Sequence, residues 1–167
     1  MPDPYPLADL LSVREFREEA DKRNVSRAQT AVREAKAAAE EKKQALEEWR
    51  VWRVQETDRR YDALLGKKTV IEKIDEFNRG LALLAAQELQ KEAEIDAAEK
   101  AVQQSEAALR KAQDEVSTAR KNTAKIEAHK SIWAEESKKA AERAEDLEFE
   151  EFKPVKRLGA TAEDDNT

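Results

Sequence analysis

The stretch VIEKIDEFNRGLALLAAQELQKEAEIDAAEKAVQQSEAALRKAQDEV, Val70 to Val116, decides the fold. Alternate steps of four and three residues from Val70 land on Ile74, Phe77, Leu81, Leu84, Ile95, Ala98, Val102, Leu109, Ala112 and Val116, with Glu88, Lys91 and Ser105 as the polar exceptions. Carried to Glu151, the same steps visit 24 positions, 17 of them apolar with alanine included, without a slip. A strict seven-residue repeat of this length keeps one stripe facing a partner helix and specifies a left-handed supercoil. No proline lies between residues 7 and 153, and only Gly66 and Gly80 interrupt that span. Interior proline costs a helix about 3 kcal/mol and glycine about 1 kcal/mol relative to alanine, so such a clearing is what long helices require. The stripe passes straight through Gly80, which reads as a weak spot or mild kink and not as a boundary.

Leu65-Gly66-Lys67-Lys68 is the natural turn, because glycine accepts the positive φ found just past a helix end. Thr69-Val70-Ile71-Glu72 follows with the S/T-x-x-E spacing of a capping box. The reading is all-α: an extended segment 1–6, a first coiled-coil helix over 7–65, a turn at 66–68, a second helix over 69–152 and a disordered tail 153–167. At 1.5 Å per residue the helices would measure roughly 90 and 125 Å. A turn this short makes them antiparallel. Trp49 and Trp52 would then face Ala82, Ala85 and Ala86, bulky against small. The second helix would overhang from about His129, leaving Trp133, Leu147, Phe149 and Phe152 without an intrachain cover. Along the first helix Leu7, Leu11, Val25, Val32, Ala39, Leu46 and Trp49 share a stripe, but charged residues intrude. Phe16 and Ala20 beside it suggest that the seam rotates or stutters near 14–24.

Composition excludes much else. Among 167 residues 41% are charged, with 29 Ala and 26 Glu against 3 Gly and no Cys. Ala/Glu/Lys/Leu/Arg dominance is the signature of long helices. There are too few aromatic and β-branched residues for a sandwich or barrel, and no glycine motif that cradles a nucleotide. Missing cysteines leave no disulfide frame or thiolate metal site. Nothing resembles a secretory leader, and no apolar run approaches the ~20 residues of a membrane span, so a soluble cytoplasmic protein without membrane insertion is expected. The net charge of −6 is concentrated late: residues 135–151 hold eight acids and three bases. The remainder is near neutral and offers no basic stripe, which disfavours nucleic acid.

Catalytic chemistry finds little to stand on. One histidine, His129, and no cysteine leave no nucleophile–base pair and no ligand set, so neither enzyme activity nor a cofactor or metal is expected. The numerous carboxylates read as solvating faces and i,i+4 ion pairs. Binding has three candidates: the apolar turn end from Gly66 to Leu84, the overhang with Trp133, and the series Arg14, Arg17, Arg23, Arg27 and Arg33. A packed turn, a frayed end and a solvated charged face are the plainer accounts of the three.

The opening Tyr5-Pro6-Leu7-Ala8-Asp9-Leu10-Leu11-Ser12-Val13-Arg14 resembles the YPLxxLLxxR start of YscO-type type III secretion proteins. Ala128-His129-Lys130-Ser131-Ile132-Trp133 is similar to the HKxxW stretch late in those chains. The resemblance, which extends to the flagellar protein FliJ, implies a stalk whose terminal end enters the ring of the export ATPase. Its loop end would reach the cytoplasmic domain of the export-gate protein, and it would also bind secretion chaperones. It assigns Phe77 and Leu81, with Leu84 one turn on, to gate contact, although Glu88 stands where the flagellar pattern has histidine. Val70, Ile71 and Leu83 would extend that patch outward; Arg14, Arg17, Arg23 and Trp133 would meet the ATPase. Two other classes remain open: a scaffold coiled coil that oligomerises through its seam, and an RNA-binding helical arm. A stalk with its seam satisfied internally should be a monomer alone, whereas a scaffold should be a stable dimer.

Overall fold

The computed structural model describes residues 4–66, 68 and 70–151. Two helices account for nearly all of them: α1, Ala8–Leu64, and α2, Ile71–Glu151. The expected capping residue Thr69, the turn residue Lys67, Phe152 of the overhang and the tail 153–167 lie outside the described residues. At the start of α1 the Ala8 amide donates to the Tyr5 carbonyl at 3.2 Å and the Leu11 amide to that of Leu7 at 3.0 Å. The helix ends at Leu64, and in the turn just past it Gly66 has a φ of 73°, the left-handed value a side chain would resist. Helix α2 opens with the Lys73 amide on the Val70 carbonyl at 3.0 Å.

Burial follows the four-three steps closely. On α2 every stepped position from Phe77 to Ile126 is buried or half-buried, with Leu84, Ala112, Val116 and Thr123 innermost. On α1 the same steps from Leu7 pass through Leu11, Val32, Ala39 and Leu46, all buried. The expected stutter at 14–24 does not occur. Arg14, Glu18 and Asp21 hold the seam half-buried while Phe16 is 69% exposed. Long charged side chains can lay their stems along a seam with the charged head at its edge. Glu18 does so and pairs with Lys22 at 3.0 Å and with Arg120 at 3.7 Å. Gly80 neither ends nor interrupts α2. A Cβ there would lie 2.6 Å from the Arg60 guanidinium, so the missing side chain makes room for that arginine.

Contacts divide the chain into two units: Phe16–Arg120, and the described residues up to Glu15 together with those from Lys121 onward. Within Phe16–Arg120, Lys36 meets Glu106 at 2.8 Å, Lys43 meets Glu99 at 2.8 Å and Arg50 meets Glu92 at 2.9 Å. One number rises as the other falls, so the helices run antiparallel. The alignment differs by about a turn from the one expected. Arg50 and Arg53 both reach Glu88, and Ala85 lies near Arg53 and Val54, not opposite the tryptophans. Residues 65–70 separate the helices, a longer connection than the turn read from sequence. Trp52 is 46% exposed and packs beside Trp49, centroids 6.3 Å apart, while the Arg53 guanidinium lies 5.7 Å from the Trp49 ring.

Near the turn the seam is ionic. Glu56, nearly buried, accepts two hydrogen bonds from Arg59 and one from Arg60. Those donors, Arg59 foremost, hold its carboxyl down at about 2 from the usual 4.5. Lys42 lowers Glu94, and Lys36 lowers Glu106, in the same way. The unfolded chain therefore takes up these protons first as pH falls, so the stabilisation is complete above 4.5 and disappears on the way to about 2. The melting temperature should be flat from neutral pH to about 5 and fall below 4.5, and Glu56→Gln should fall less across that window. An equal slope for both proteins would remove Glu56 as a source of the acid sensitivity.

In the other unit the opening segment folds onto α2. Tyr5 is 8% exposed, its ring 5.8 Å from that of His129 and 5.5 Å from that of Trp133. Its hydroxyl lies 2.8 Å from His129 Nδ1 and 3.4 Å from the Ile126 carbonyl oxygen. The hydroxyl has one proton to give, so both contacts are met when it donates to the carbonyl and Nδ1–H donates to it. The expected overhang from His129 is thereby corrected. Tyr5 covers Trp133, and uncovered helix begins at Ala134.

Candidate functional site

Three of the six turn-end residues expected at the gate stand in solvent: Val70, Ile71 and Leu83, the last two 74% and 61% exposed. Phe77 and Leu81 are seam residues and half-buried, with the Phe77 ring 6.5 Å from that of Tyr61. Leu84 is withdrawn, only 4% exposed, and its role is to hold the helices together. The six do not form one patch. Twelve residues at 3.6 per turn put Leu83 roughly 120° around α2 from Ile71.

The structure adds what α2 alone could not show. Val51, Val54 and Tyr61 of α1, and Leu65 just past its end, are all more than half exposed. They recur at spacings of three, seven and four, which is helical, so a second apolar stripe beside the seam was available to a reading that looked beyond the first. Between the helices here lies a cleft of about 330 Å³ whose apolar lining is Val54, Leu81, Leu84 and Ala85, with Arg53 and Asp58 at its polar margin. The turn end of Phe16–Arg120 thus presents an apolar surface drawn from both helices.

The cationic candidates divide between the units. Arg14 is half-buried and belongs with Tyr5 and Trp133, whereas Arg17 and Arg23 are exposed and belong to Phe16–Arg120. Arg27 and Arg33 are exposed as well, Arg33 donating to the Thr30 hydroxyl at 3.2 Å. Trp133 keeps one face on Tyr5 and remains half-buried.

Among the described residues, no group of three or more His, Cys, Asp or Glu is arranged to hold a metal ion. No described helix is long and apolar enough to cross a membrane. The arrangement offers surfaces for binding: an apolar turn end, exposed arginines on α1, and an acidic end to α2.

Residues 7–155 match the family described as type III secretion protein YscO. The fold is similar to the crystal structure of type III secretion protein YscO from Vibrio parahaemolyticus, with a TM-score of 0.82, 21% identity, and 88% of this chain and 92% of that one covered. It is also similar to a YscO homolog from Chlamydia trachomatis, with a TM-score of 0.72, 21% identity, and 89% and 91% covered. No curated protein matches the chain in sequence.

Proposed function

The chain belongs to the YscO family of type III secretion proteins, and we propose that it acts there as a non-enzymatic stalk linking the export ATPase to the export gate, with secretion chaperones as further partners. The observation that carries this reading is the apolar turn end, where Val70, Ile71 and Leu83 are solvent-exposed while Leu84 of the seam is withdrawn. A hairpin whose only task was to close on itself would gain nothing from exposing them. We assign gate contact to Val70, Ile71 and Leu83, with the exposed edges of Phe77 and Leu81, and ATPase contact to Arg14 and Trp133 and, further along α1, to Arg17 and Arg23. A stiff, asymmetric helical pair held by a six-fold ring would make its subunits inequivalent, which is how a stalk without catalytic groups can influence an ATPase. Its place would be the cytoplasmic side of the secretion apparatus.

Titration against the two isolated partners tests the reading. Leu83→Asp changes an outward residue and should weaken gate binding by about 1–3 kcal/mol, the range of an apolar interface anchor, with ATPase binding retained. Arg17→Glu with Arg23→Glu should weaken ATPase binding, most at low salt, and spare the gate. Circular dichroism should show wild-type helicity for both. Equal loss of both partners by either variant would overturn the two-partner stalk.

A further inference from the structure

The ladder between the helices stops before the turn is reached. Its rungs are Lys36–Glu106, Lys43–Glu99 and Arg50–Glu92, each seven residues on from the last. The next rung in that series falls on Thr57 and Ala85. Both are short and uncharged, and both line the cleft of about 330 Å³ between the helices. Among the described residues, the last ion pair between the helices on the way to the turn is Arg53 with Glu88.

The seam thins at the same level. Alongside the ladder Val32, Ala39 and Leu46 of α1 and Ala112 and Val116 of α2 are buried. Between Arg53 and the end of α1, and from the start of α2 to Glu88, only Glu56 and Leu84 are buried among the described residues. Glu56 is charged, and its partners Arg59 and Arg60 lie on its own helix, so that network stiffens α1 without joining it to α2. Across the gap Tyr61, itself 55% exposed, meets Phe77 with ring centroids 6.5 Å apart, and Arg60 fills the space left at Gly80.

We propose that residues 54–64 of α1 and 71–87 of α2 part from each other as one unit while the ladder stays closed. The short connection between α1 and α2 holds these two arms at high effective concentration, so tethering alone would make them the last part of Phe16–Arg120 to open. Burial ranks them the other way, because sub-global opening begins where buried apolar contacts are fewest. Closed, the seam withholds Leu84; parted, it bares Leu84 together with Phe77 and Leu81. The turn end thus holds an apolar face that only its open form presents, besides Ile71 and Leu83, which are exposed when it is closed. The inference is independent of the ATPase and gate assignments.

The chain has no cysteine, so single thiols report the opening without background. Leu84→Cys, Ala39→Cys and Ala112→Cys place a thiol at positions 4%, 6% and 8% exposed. Labelling by a small disulfide reagent under native conditions should be about tenfold or more faster at Leu84→Cys than at the other two. Hydrogen exchange of the unsubstituted chain is the second measurement, because Leu84→Cys also trims the seam it probes. Amides of 56–63 and 77–84 should open together, about tenfold or more often than those of 32–46 and 99–116. Thr57→Leu with Ala85→Leu fills the cleft and should slow labelling at Leu84→Cys about tenfold, leaving Ala112→Cys unchanged. Equal labelling of the three thiols, equal exchange in the two regions, or protection that rises smoothly away from the turn would overturn the proposal. So would labelling at Leu84→Cys that filling the cleft does not slow.

Discussion

Leu46→Asp should destabilise the chain by about 3–5 kcal/mol, while Phe16→Asp should change its stability by no more than about 0.5 kcal/mol. Leu46 is 5% exposed in the middle of a seam only two helices thick, and among the described residues no large side chain is completely buried. So thin a core has no second layer to absorb a charge. The aspartate would lose the transfer free energy of a leucine and leave a carboxylate against apolar neighbours. Phe16 has the larger apolar surface and by residue type alone would be the more damaging position. Its exposure of 69% reverses that ranking. Thermal melts followed by circular dichroism decide it: similar losses for both variants would mean that the seam of α1 does turn near residue 16.

That contrast shows where the sequence could be read and where it could not. The stripe of α2 was legible because it is mostly apolar and never slips register, and burial follows it from Phe77 to Ile126. The stripe of α1 has equally regular spacing but carries Arg14, Glu18, Asp21, Arg53, Glu56 and Arg60. A hydrophobicity pattern discounts those residues, although each can occupy a seam with its stem buried and its charge paired. The ladder of Lys36, Lys43 and Arg50 against Glu106, Glu99 and Glu92 was within reach, since both series repeat every seven residues. Pairing them required the alignment of the two helices, and that depends on how much chain the connection consumes. No periodicity within a helix contains that quantity.

The candidate surfaces divide in the same way. The exposure of Ile71 and Leu83 follows from their positions beside the seam, and the burial of Leu84 from its place within it, whereas Val70, the first step of the stripe, is exposed just ahead of the start of α2. Tyr61 and Leu65 escaped notice because α1 was read for one stripe and carries two. Tyr5 was legible only as part of a short motif, because the residues it touches lie more than 120 positions away.

Tyr5→Ala should therefore loosen the beginning of α1 by about 2–4 kcal/mol, the loss expected when a buried aromatic is truncated, whereas Tyr5→Phe should cost only about 1 kcal/mol. The phenylalanine keeps the ring packing against His129 and Trp133 and gives up only the hydroxyl contacts with His129 and the Ile126 carbonyl. Alanine gives up both and leaves one face of Trp133 in water. The effect should be local, because Ile126, His129 and Trp133, which Tyr5 meets, belong to its own unit. Amide exchange in the first turns of α1 should accelerate, with the ladder between Lys36 and Glu106 still protected. In a Trp49→Phe, Trp52→Phe background Trp133 is the one remaining tryptophan. Its emission should move to the red in Tyr5→Ala and stay in place in Tyr5→Phe. A red shift of equal size in both would show that the hydroxyl, not the ring, holds the opening segment on α2. No shift in either would mean that Trp133 is covered by something other than Tyr5.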